Sequence, residues 1–246
     1  MLYVILYVRI RRDLCIKYSY KKGECIMTNF ENVVKKINYF QTNKLKKDEP
    51  EDGLIYTPLN YKEHNYGFMI FSEEKYESKI EKLKDCQYRN RYYYYEKFKN
   101  EGKNIIFIMF NPSSACPNYD DPTIRNCRKL VEDKYGSMEI INIFSQRNPN
   151  VKKIAKDKNK ENLEFIEEFL KNRKGTEVVI AWGYGKEKDY IEKVGEVKKL
   201  LNDFTKLKIT IKKEALEEIQ NYGRHPAPPA WSIFNGFENA AQLVKY

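Results

Sequence analysis

Four polar side chains, three around the ends of apolar runs and one in a proline-rich loop, are of types that suit a neutral planar ligand or an anion. Asn111 directly follows the run Asn104-Ile105-Ile106-Phe107-Ile108-Met109-Phe110. Its uncharged amide can orient a water or hydrogen-bond a planar group without adding charge, and Asn-Pro is equally an ordinary turn. Asn142 lies inside a second run, Met138 to Phe144, where a polar side chain must find hydrogen-bond partners. Arg147 follows that run, and its planar guanidinium suits a phosphate or carboxylate. His225 stands in Gly223-Arg224-His225-Pro226-Ala227-Pro228-Pro229, too rich in proline for a helix. A loop histidine beside an arginine is a site candidate, and a satisfied structural histidine accounts for it equally.

Asp120-Asp121-Pro122-Thr123 reads as a helix start in which one carboxylate caps and Pro122 opens the first turn. The other carboxylate is then available to hold a cation or accept a proton. A third apolar run, Glu177 to Gly183, ends in Trp182-Gly183, so the run ends and the helix start together present Pro112, Ser113, Asp120, Asp121, Asn142, Arg147, Trp182 and Gly183 as candidate substrate-binding positions around Asn111. Arg89-Asn90-Arg91-Tyr92-Tyr93-Tyr94-Tyr95 offers rings beside basic groups on which bases could stack, or else a strand with one face on the core. There is no G-x-x-x-x-G-K-[ST], G-x-S-x-G or full G-x-G-x-x-G.

These positions need a scaffold that gathers the ends of three runs. Each run is continuous and apolar, the pattern of a strand buried on both faces, and helical stretches over 122–134 and 161–173 separate them. Strand, helix, strand, helix, strand predicts a three-layer α/β sandwich with a mainly parallel central sheet, whose ligands collect beyond the carboxyl ends of the strands. Lys208 to Lys212 suggests a further strand, 214–220 a short helix and 237–244 a closing helix. Before this core domain (86–246), an N-terminal extension (27–85) holds an amphipathic helix over 28–47, a turn at 48–53, short extended pieces over 54–72 and a charged helix over 73–84.

Residues 1–26 read as a possible mistranslated leader. The codons of Lys21-Lys22-Gly23-Glu24 can form a ribosome-binding site at the usual distance before Met27, and removing the stretch lowers the net charge from +10 to +6. A positive balance in either case favours an anionic partner, such as nucleic acid or nucleotide, although a lysine-rich proteome produces the same excess. Two histidines and five cysteines without a C-x-x-C pair exclude a histidine-rich metal site, a zinc knuckle and a disulfide framework. No metal or cofactor is expected, with carboxylate-bound Mg²⁺ left open. The apolar run from Met1 to Val8 is too short to span a bilayer, and the expected location is cytoplasmic, without membrane contact.

In chain order, Arg91-Tyr92, Ile108-Met109-Phe110-Asn111-Pro112-Ser113-Ser114-Ala115, Asp120-Asp121-Pro122-Thr123-Ile124-Arg125 with Cys127, Asn142-Ile143-Phe144 with Arg147, Ala181-Trp182-Gly183, and His225-Pro226 resemble a bacterial and phage family, domain of unknown function 1643. The resemblance covers about residues 88 to 230, and the family name implies no reaction. More distantly, Asn111-Pro112 and His225-Pro226 resemble segments of the uracil-DNA glycosylase superfamily, mismatch-specific type. That resemblance implies a glycosylase-like fold and catalytic roles for two residues: Asn111 holds the attacking water, and His225 stabilises the departing base. It also implies that Phe110 or Tyr119 stacks on a flipped base. Two other classes fit the residues: an enzyme of free nucleotides or small phosphorylated molecules, with Arg147 clamping phosphate and Asp120 and Asp121 holding a metal, and a non-catalytic nucleic-acid-binding module built on the tyrosine-rich run.

Overall fold

The computed structural model describes residues 5–9, 15–21, 24–27, 29–60, 66–74, 87–148, 160–183, 188–211 and 241–245. At the start of the chain, β1 (Ile5–Arg9), β2 (Cys15–Lys21) and β3 (Glu24–Met27) form an antiparallel sheet of their own. Helix α1 (Phe30–Thr42) follows, capped by the Asn29 side chain, which accepts from the Glu31 and Asn32 amides; Phe30, Val33, Val34, Ile37 and Phe40 make its buried stripe. Then come β4 (Glu49–Glu51), β5 (Leu54–Pro58), β6 (Tyr66–Ser72) and β7 (Arg91–Lys97), each antiparallel to the one before.

The second half alternates strand and helix, as its sequence predicts up to β10: β8 (Asn104–Met109), α2 (Pro122–Val131), β9 (Ser137–Asn142), α3 (Lys160–Lys171), β10 (Glu177–Ala181), then α4 (Lys188–Leu200) and β11 (Thr205–Ile211). Strand β12 (Ala241–Lys245) closes the sheet, antiparallel to β11, where a closing helix was expected. The order is β12-β11-β10-β8-β9-β7-β6-β5-β4.

Four neighbouring strands, β11, β10, β8 and β9, are parallel. Their flanks are antiparallel, so the nine-stranded sheet is mixed and the expectation of a mainly parallel sheet is corrected. The missed information was pairing: β7 joins the parallel block through β9, and β6, β5 and β4 continue outward. Residues 29–74 are therefore not a helical appendage. They supply one helix and three strands to the same body, and the boundary expected near residue 85 does not divide the sheet. Helix α4 had no counterpart in the sequence reading, while the helices expected over 73–84 and 214–220 lie wholly or mostly outside the described residues.

Right-handed crossovers explain which face each helix covers. The chain moves from β8 to β9 in one direction and from β9 past β8 to β10, then to β11, in the other, so the connecting helices must lie on opposite faces. Indeed α2 buries Ile124, Cys127 and Val131 against one face with Ile105, Phe107, Met109, Ile140 and Val179. On the other, α3 and α4 join α1 against Ile106, Ile108, Ile141, Val178 and Ile180. Within this second layer, Arg173 reaches Asn38 of α1 at 2.8 Å and pairs with the buried Glu139 of β9 at 2.9 Å. Among the described residues, no helix is long and apolar enough to cross a membrane.

Candidate functional site

The direction of the chain reverses around β8, and the carboxyl ends of the strands at such a reversal are where open α/β sheets bind ligands. Asn111 and Pro112 follow the end of β8 and Trp182 and Gly183 the end of β10, with Asn142 on the adjoining β9 in register with Met109. Gly183, just past the strand end, has φ of 78°, a left-handed conformation that glycine adopts without strain.

Much of the motif-bearing sequence holds the loop over residues 111–121. Arg147, 0% exposed, donates to the carbonyls of Tyr88, Ser114 and Ala115 at 3.1, 3.2 and 3.1 Å, and its guanidinium lies 5.5 Å from the centre of the Phe71 ring. Arg91 reaches the same Ala115 carbonyl at 3.5 Å, and Asp121 accepts from the Ala115 amide at 3.2 Å. The other oxygen of Asp121 caps α2 by accepting from Ile124 at 3.0 Å. Asp120 pairs with Arg125 at 3.1 Å and with Arg128 at 2.7 Å, and Arg128 also grips the buried Glu96 at 2.7 Å.

Three expectations change accordingly. Asp120 and Asp121 are engaged by arginines and backbone amides, and among the described residues no group of three or more His, Cys, Asp or Glu is arranged to hold a metal. The guanidinium of Arg147 serves carbonyls inside the protein rather than presenting itself to a ligand phosphate. Tyr92, Tyr93, Tyr94 and Tyr95 are all buried, so the tyrosine-rich run is the core strand β7 and not a stacking surface.

Asn111 is buried, and its amide nitrogen donates to the carbonyls of Pro112 and Asn148, both at 2.9 Å. That bond pair fixes the amide plane and leaves Oδ1 as the acceptor the protein does not use. Asn142 is 1% exposed, and neither its Nδ2 nor its Oδ1 has a partner among the described residues. A buried amide without hydrogen bonds is costly, roughly 1–3 kcal/mol, which makes it the polar group in this region most in need of a ligand. Pro112 is buried and Ser113 half-buried beside Asn111. Phe110 packs on Phe144 with ring centres 5.0 Å apart on the α3 side of the edge, and Tyr119 is 49% exposed at the Cys116–Tyr119 turn. His225 lies outside the described residues.

Asn162 was not singled out in the sequence. Fully buried in the first turn of α3, it donates from Nδ2 to the carbonyls of Asn142 and Ile143, both at 2.8 Å, and so fixes the end of β9. Its Oδ1 and the Trp182 indole nitrogen are buried without partners. A buried asparagine near a helix start was the signal in the sequence, masked by the frequency of asparagine there as a cap. On the same side, burial and then the nearby Glu161 carboxylate raise the Tyr92 phenol well above its ordinary range. Burial likewise pushes the Cys127 thiol up, with the charge of Asp121 adding to the effect, so this cysteine is poorly suited to act as a nucleophile.

A family model described as a protein of unknown function, DUF1643, matches residues 91–227. The chain belongs to this family. The DUF1643 match begins with β7 and takes in every candidate position, including His225, while α1 and β4–β6 precede it. No curated protein and no solved structure matches the chain significantly.

Proposed function

We propose that this protein binds a nucleobase at the carboxyl edge of its parallel strands and hydrolyses the N-glycosidic bond that carries it. The observation behind this reading is the Asn142 amide: buried, unpartnered and on the strand next to Asn111. One donor and one acceptor in a plane match the edge of a base, as asparagine does in bidentate contact with adenine. An apolar surround strengthens such bonds and penalises their absence.

Asn111 supplies the second half of the reading. Its Oδ1 accepts a hydrogen bond from a water and orients it toward the sugar carbon, while the amide is held still by two carbonyls. An amide oxygen is too weak a base to take the proton early, so the bond to the base breaks ahead of water attack. The bonding pair leaves with the base, the water oxygen bonds to the sugar carbon, and the water proton passes to solvent. His225 is assigned the developing negative charge on the base, as the resemblance to uracil-DNA glycosylases implies. The net charge of +10 suits a nucleic-acid substrate.

The test is incubation with single- and double-stranded DNA carrying modified bases, followed by detection of abasic sites. Strand scission at the modified position after alkali supports the reading. Intact strands throughout, with release only from free nucleotides, would replace it with a nucleotide enzyme.

A further inference from the structure

Three asparagine amides lie around the candidate site, and the protein treats them differently. Asn111 and Asn162 each donate from Nδ2 to two backbone carbonyls, at 2.9 and 2.9 Å and at 2.8 and 2.8 Å. Turning either amide over would set its oxygen against two carbonyl oxygens, so each has one permitted sense. Asn142 is held through its backbone, whose carbonyl Asn162 clasps, but neither atom of its amide is engaged. The stem is fixed, and among the described residues no hydrogen bond sets the sense of the amide.

We infer that Asn142 reads base edges in both senses, so that the site takes keto and amino pyrimidines alike; this rests on the nucleobase reading above. Uracil presents a donor at N3 and an acceptor at O4, whereas cytosine presents an acceptor at N3 and a donor at N4. An amide locked by the protein satisfies one of these and sets like against like with the other. Strong rejection of a wrong substrate comes from buried polar groups left unpaired. A side chain that turns over leaves none unpaired with either base, and discrimination at this position disappears.

The full chain is titrated, by fluorescence anisotropy, into labelled single-stranded oligo(dU) and oligo(dC) of about twelve nucleotides, long enough to fill a single-stranded site. The two dissociation constants should agree within about tenfold, below the discrimination that a polar site of one sense achieves. Asn142→Leu should weaken both by similar factors. Leucine is similar in volume and has no polar atom to bury, so the variant should melt at the same or a higher temperature. A preference beyond about tenfold for either oligomer overturns the inference and leaves the nucleobase reading standing. Tight binding to both that Asn142→Leu does not change removes Asn142 as the reader. Loss of melting temperature in Asn142→Leu shows that the amide is held after all, which also overturns the inference. Binding to neither oligomer sinks the inference and the nucleobase reading together.

Discussion

At the level of single residues, Asn111 and Arg147 should respond differently to substitution. Under the proposed reading, in which Asn111 holds the attacking water, Asn111→Ala should lower turnover by about a hundredfold or more, as for loss of one positioned transition-state group, while substrate affinity changes little. Its two backbone carbonyls also lose their donor, so turnover is compared per folded molecule with the melting curve measured alongside. Equal turnover in wild type and variant on a proven substrate removes Asn111 from the mechanism. Arg147→Ala should act on stability instead, costing about 2–5 kcal/mol in urea unfolding, because one buried and two part-buried carbonyls lose their donor. The salt dependence of nucleic-acid binding should stay unchanged in the folded fraction; a flatter slope would mean that Arg147 meets phosphate.

At the scale of elements, α2 is positioned by charge as much as by its apolar stripe. Asp121 joins the helix start to the loop above it, and Arg128 bridges Asp120 to Glu96 in β7. Asp121→Ala should cost about 1–2 kcal/mol as a lost cap, plus the loss at the Ala115 amide. Arg128→Met should cost more, about 3–5 kcal/mol, because Glu96 stays buried without its cation. Equilibrium unfolding that ranks the two in the reverse order would show that Glu96 is otherwise satisfied, for example by the Tyr94 hydroxyl at 2.6 Å.

For the molecule as a whole, the tyrosines set an alkaline limit. Burial raises the phenols of Tyr56, Tyr66, Tyr92, Tyr93, Tyr95 and Tyr135 above the ordinary value of 10.0, with Tyr95 and Tyr135 pushed up to about 12. A group with a folded value above its unfolded one contributes stability that is complete below the unfolded value and is lost as pH rises through the folded one. Stability should therefore decline from about pH 10 upward and collapse near pH 12. Tyrosinate absorbance should show these six phenols ionising together with unfolding. Smooth titration of all 20 tyrosines near pH 10 in a folded chain would contradict their burial.

By itself the sequence determined the parallel block, because three apolar runs alternating with amphipathic stretches have one economical arrangement, and it determined that Asn111, Asn142 and Trp182 stand at one edge of it. A helix cap from the Asp120-Asp121 pair was legible for the same reason, since capping is local, within three residues of chain, and the structure assigns it to Asp121. What tertiary structure decided was everything that depends on distant partners. The antiparallel flank and β12 exist through pairing across the sheet, which period-2 patterning in short segments does not specify. Arg147 looked like a phosphate ligand because a guanidinium suits carbonyls and phosphates equally, and only the fold set the Tyr88, Ser114 and Ala115 carbonyls around it. Asn111 and Asn142 carry identical amides, yet one is pinned by two carbonyls and the other faces none, a difference made by the loop around them.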